Sequence, residues 1–97
     1  MIVTRREEVS AAEVADPILR LLIAGQVLTC LHVKVMSSMS AQAAWRLTAT
    51  RLKELGATGD LTRYIVRSER APTPAGKWVR CWKAGPKLAE IVEAMRA

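Results

Sequence analysis

No phenylalanine occurs in this sequence; three tryptophans and a single tyrosine are its only aromatic residues. Tryptophan must therefore supply much of the bulk of any core. Cysteine is scarce. Cys30 and Cys81 lack Cys-x-x-Cys spacing and have one histidine for company, so no zinc or other metal site is expected. Two isolated thiols behind an N-terminus without an apolar signal core fit a reduced, cytoplasmic protein. No long hydrophobic run is present either. The most apolar stretch, Ile18 to Val33, contains Arg20, Gln26 and His32 and falls short of the ~20 residues of a membrane span, so no membrane association is expected. Nor is there a Gly-rich phosphate loop, a nucleophile set beside a histidine and an acid, or a carboxylate pair in an apolar setting. Catalysis and cofactor binding are not expected.

What is present is positive charge, unevenly placed. The chain has 97 residues, the length of one domain, is 51% apolar, and carries a net charge of +6 with a pI near 10.0. From Trp45 to Lys83 nine Lys/Arg face three acids, while charges cancel over the remainder. A segregated basic field suits a polyanion or an acidic protein surface. The field begins on the most sharply bounded stretch, Ser40 to Gly56. Ser40 is a good N-cap, and Gly56 suits the left-handed residue that closes a helix. At 100° per residue Ala41, Trp45, Thr48, Ala49, Leu52 and Leu55 form one face of this helix. Gln42, Arg46, Thr50 and Lys53 form another.

The remaining elements follow from punctuation and periodicity. Residues 1–9 read as a polar arm. Ser10 to Glu13 has capping-box spacing, but Asp16-Pro17 is the stronger helix start, predicting a helix over 17–24 that stops at Gly25 and is apolar nearly all round. Thr29 caps a second helix from Cys30 to about Met36, with Leu31, Val33, Val35 and Met36 expected inward. Leu61 to Arg67 reads as a strand. Ser68 to Gly76, with two prolines, reads as a loop. Lys77 to Lys83 is the return strand, with Trp78, Arg80 and Trp82 on one face. Beyond Gly85-Pro86, Leu88, Ile91, Val92 and Met95 follow the spacing of a one-sided helical stripe. The class is α+β, mainly α.

This order, with Leu28-Thr29 before the second helix and Arg51-Leu-Lys-Glu-Leu-Gly-Ala57 closing the third, resembles the winged helix-turn-helix regulators of bacteria and phages. The resemblance implies a three-helix core, a β-hairpin wing and a C-terminal helix, divided into an arm (1–15), the winged domain (16–84) and a terminal helix (85–97). The chain departs from the family in the turn before the third helix, where Ser37-Ser38 stands in place of the usual glycine. By the resemblance, the helix over 41–55 enters the major groove of double-stranded DNA. Gln42 then pairs with adenine and Arg46 with guanine, Thr50 and Lys53 meet phosphate, and Arg67, Arg70 and Lys77 of the wing hold the backbone. Arg63, Arg80 and Lys83 extend the patch. Trp45, Trp78 and Trp82 are assigned to the core. Leu88, Ile91, Val92 and Met95 pack on the core or join two copies in a dimer. The expected function is transcription regulation. The alternative is a protein-interaction module, such as a phage-type inhibitor, that binds an acidic partner.

Overall fold

The structure is a computed structural model and describes residues 10–67, 70–72, 76 and 78–93. Its elements are α1 (Ala11–Ile23), β1 (Leu28–Thr29), α2 (Cys30–Ser37), α3 (Ala41–Glu54), a 3-10 turn (Leu61–Arg63), β2 (Ile65–Val66), β3 (Arg70–Pro72), β4 (Trp78–Ala84) and α4 (Leu88–Val92). The fold is α+β and mainly helical.

α1 begins six residues earlier than Asp16-Pro17 predicts. Its start is the capping box: the Glu13 amide donates to the Ser10 hydroxyl and the Ser10 amide to the Glu13 carboxylate, both at 3.1 Å. Pro17 lies inside the helix. A proline there forgoes the bond to the Glu13 carbonyl and costs roughly 3 kcal/mol. The burial of Val14, Ala15, Ile18, Leu19 and Leu22 offsets it. The apolar coat is one-sided, since Leu21 and Ile23 are exposed.

α2 is capped as expected, the His32 amide donating to the Thr29 hydroxyl at 3.1 Å. Its inward face is Val33 alone, fully buried, whereas Leu31 and Val35 are 66% and 71% exposed and Met36 is exposed too. Residues two apart on a helix point about 200° apart. Once Val33 faces the core, Leu31 and Val35 must face water. The turn that follows is closed by Ser38 in the left-handed region, at φ 59° and ψ 32°.

α3 matches its reading closely. The Ala43 amide donates to the Ser40 hydroxyl at 3.1 Å. At the other end the Ala57 amide bonds the Leu52 carbonyl and the Gly56 amide the Lys53 carbonyl, the paired bonds of a Schellman close, with Gly56 at φ 109°. Ala44, Thr48 and Leu52 are its fully buried positions; Trp45 and Ala41 pack beside them, half-buried. The Thr48 hydroxyl is buried and donates to the Ala44 carbonyl at 2.7 Å.

β4 is the common partner of the other three strands, all antiparallel to it. Leu28 lies opposite Trp82, Ile65 opposite Ala84, and Arg70 opposite Arg80, and β4 runs between β1 and β2. The strand predicted over 61–67 is only Ile65–Val66, because Leu61–Arg63 coil into the 3-10 turn that Asp60 caps through the Thr62 amide at 2.9 Å. The stretch predicted as a loop over 68–76 includes β3. Pro72 is tolerated there, because among the described residues β3 pairs only with β4 and an edge strand has one side that needs no donor. Where β4 ends, Gly85 runs against the 3-10 turn; a Cβ at Gly85 would sit on the Arg63 carbonyl.

The core joins α1, α3 and the sheet to Leu88, Ile91 and Val92 of α4. Trp82 is its largest fully enclosed side chain.

Candidate nucleic-acid interface

The buried side of α3 fixes the rotation of its outer face. With Ala44, Thr48 and Leu52 directed to the core, Gln42, Arg46, Thr50 and Lys53 are all exposed, as the spacing predicts. Arg46 and Lys53 form no ion pair with a described residue. Thr50 is turned partly inward chemically, its hydroxyl donating to the Arg46 carbonyl at 3.0 Å, which leaves its lone pairs as the outward group.

The next basic residue on α3 does not join this face. Arg51 reaches back to α1, where Nε and Nη2 bond the two carboxylate oxygens of Asp16 at 2.8 and 3.2 Å. Glu54 adds a longer contact at 3.5 Å. The hydrogen bonds that Arg51 donates to Asp16 hold its pKa above its ordinary value despite partial burial. Its charge is spent on joining α1 to α3, and the basic field is smaller by one than its count suggests.

Arg67, at the end of β2, is half-buried and its guanidinium carbon lies 4.1 Å from the centroid of the Trp45 ring. Trp45 in turn meets Trp82 edge to face, with ring centroids 5.6 Å apart and an interplanar angle of 84°. Trp45 is thus a bridge between core and surface: one contact is to the buried Trp82, the other to a surface cation. Burial first, and the charge of Arg80 second, lower the Arg67 pKa from its ordinary value.

Two open clefts flank this stack, of about 370 and 320 Å³, and Trp45, Arg67 and Arg80 line both. The larger extends over the 3-10 turn and includes Asp60. Hydrogen bonding by the Thr62 amide holds the Asp60 carboxyl below the usual carboxylate range. The smaller runs along the start of α3 and includes Gln42 and Cys30. The folding chain therefore brings Gln42, Arg67 and Arg80 to one place. Compared with known proteins, the chain matches no family model, no curated sequence and no solved structure.

Of the remaining expected contacts, β3 carries Arg70 opposite Arg80 in the ladder, while its side chain, Lys77 and the Trp78 side chain lie outside the described residues. Arg63 is exposed on the 3-10 turn. The sequence makes Arg80 no more than an extension of the patch; its place beside Arg67 depends on the register of β4 against the end of β2, which no local signal encodes. Cys81 is fully buried and Cys30 half-buried. Among the described residues no group of three or more His, Cys, Asp or Glu could hold a metal ion, and no helix is long and apolar enough to cross a membrane. Leu88, Ile91 and Val92 are at most 8% exposed. They pack in this chain's own core; Met95 lies outside the described residues.

Proposed function

We propose that this protein binds double-stranded DNA and regulates transcription, on the plan of a winged helix-turn-helix domain. One observation carries the reading: α3 turns Gln42, Arg46 and Lys53 to solvent with no described acid paired to either cation, and Arg67 and Arg80 line a cleft that begins at Gln42. Support for the plan comes from the order of elements. A short strand between α1 and α2 pairs with the last strand, and that strand pairs back with the two that follow α3.

In this reading the first turns of α3 lie in the major groove. Gln42 and Arg46, one turn apart, meet base edges with the bidentate geometry each side chain allows. Lys53, further along, meets phosphate. Thr50 accepts rather than donates. Arg67 and the strand that carries Arg70 approach the backbone from the hairpin side, adding affinity without sequence information.

The test is binding to a random duplex pool at two salt concentrations, followed by anisotropy. The expected result is an affinity that falls steeply with salt, since each neutralised phosphate releases counterions. Arg46→Glu should abolish binding in a chain that retains its helical circular dichroism. Undetectable duplex binding at low salt would remove the reading.

A second reading, a protein-interaction module, draws on the exposed Leu31 and Val35 of α2. Large apolar side chains left in water on one helical face favour a protein contact. Leu31→Asp with Val35→Asp separates the two readings. The change should leave duplex binding intact if DNA is the partner, and remove capture of an acidic protein if that is the partner.

A further inference from the structure

We propose that Arg67 and Arg80 form a binding site for a single phosphate group in the smaller cleft beside Trp45, whose rim Gln42 borders. The cleft, about 320 Å³, has Trp45 and Trp82 among its walls and no carboxylate. The larger cleft shares both arginines but includes Asp60, whose charge opposes an anion. Two guanidiniums lining one cleft with no described acid between them repel each other. The lowered pKa of Arg67, due in part to Arg80, is the mark of that repulsion. An oxyanion placed between them removes it and accepts paired N–H donors from each fork. Arg67 is already held against Trp45 at 4.1 Å, so little side-chain freedom is lost on binding.

The shared chemistry is the phosphate oxyanion, whether it comes from a DNA backbone or from a free phosphorylated molecule. The backbone source rests on the DNA-binding reading; the site itself does not.

The experiment follows the Trp45 indole N–H resonance of the full-length, ¹⁵N-labelled chain, identified by its loss in Trp45→Phe. Inorganic phosphate is titrated against chloride at matched ionic strength. Duplex binding is then measured across a salt series for the wild type, Arg80→Gln and Arg67→Gln. The expected result is a saturable shift with phosphate alone, at least tenfold weaker in each folded variant. For the duplex, the slope of log affinity against log salt should fall by about 0.9 in Arg80→Gln, the loss of one phosphate contact. A phosphate shift that needs Arg80, in a chain that binds no duplex, supports the site with a free phosphorylated ligand and removes the DNA reading. Duplex binding with an unchanged slope in both variants, and no phosphate-specific shift, overturns the site and leaves the DNA reading standing. A shift that chloride reproduces overturns it as well.

Discussion

The Arg67 guanidinium stacks on the Trp45 ring at 4.1 Å, and this contact joins the strand after α3 to the helix itself. A cation over an indole contributes about 0.5–1 kcal/mol when exposed and more when partly desolvated. A double-mutant cycle of Arg67→Gln and Trp45→Leu should therefore show a coupling near 1 kcal/mol in urea unfolding. The Trp45→Leu change alone should cost more than the coupling, because it also removes the edge-to-face contact with Trp82.

Asp16 and Arg51 make a second long-range polar contact. Both are about one-fifth exposed at the side chain, so screening reduces the pair below the worth of a fully buried one. Asp16→Asn should destabilise the fold by about 1–2 kcal/mol, as loss of a charge-assisted fork does. Arg51→Gln should cost a similar amount yet leave duplex affinity within about twofold of wild type once folded, whereas Arg46→Gln should do the reverse. Equal loss of binding in the two variants would contradict the separation of their faces.

Ser38 holds a left-handed conformation without being glycine. That backbone costs a non-glycine residue roughly 1 kcal/mol. Ser38→Gly should raise stability by a few tenths to about 1 kcal/mol, read as a higher urea midpoint at constant slope. The opposite sign would mean that the glycine's added freedom in the unfolded chain outweighs the relief of strain.

Val33 and Leu31 give the sharpest contrast within one helix. Val33→Ala should destabilise by roughly 1–3 kcal/mol through lost burial and a cavity. Leu31→Gln should change stability by no more than about 0.5 kcal/mol. A large loss from Leu31→Gln would place α2 in the opposite rotation.

α3 was legible because its signals are local and agree: a serine cap, a glycine close and a polar face between them. α1 was misplaced because two start signals competed within its sequence. Asp16 looked like a cap for Pro17, yet its carboxylate is taken by Arg51, thirty-five residues away. β3 was hidden by Pro72, whose exclusion from strands applies to interior positions and lapses at an edge. The exposed set Gln42, Arg46, Thr50 and Lys53 could be read from helical spacing. The grouping of Arg67 and Arg80 with Trp45 could not, since it depends on strand register and on contacts between residues far apart in the chain.

The dependence of every other strand on β4 has a consequence for synthesis. Leu28 emerges from the ribosome well before its ladder partner Trp82, which lies far along the chain from it. Until then β1 has no neighbour with which to exchange hydrogen bonds, and helices α1 to α3 can assemble only on one another. A nascent chain halted short of residue 78 would thus hold a helical cluster with none of the described strand pairs, which would form only once β4 is made.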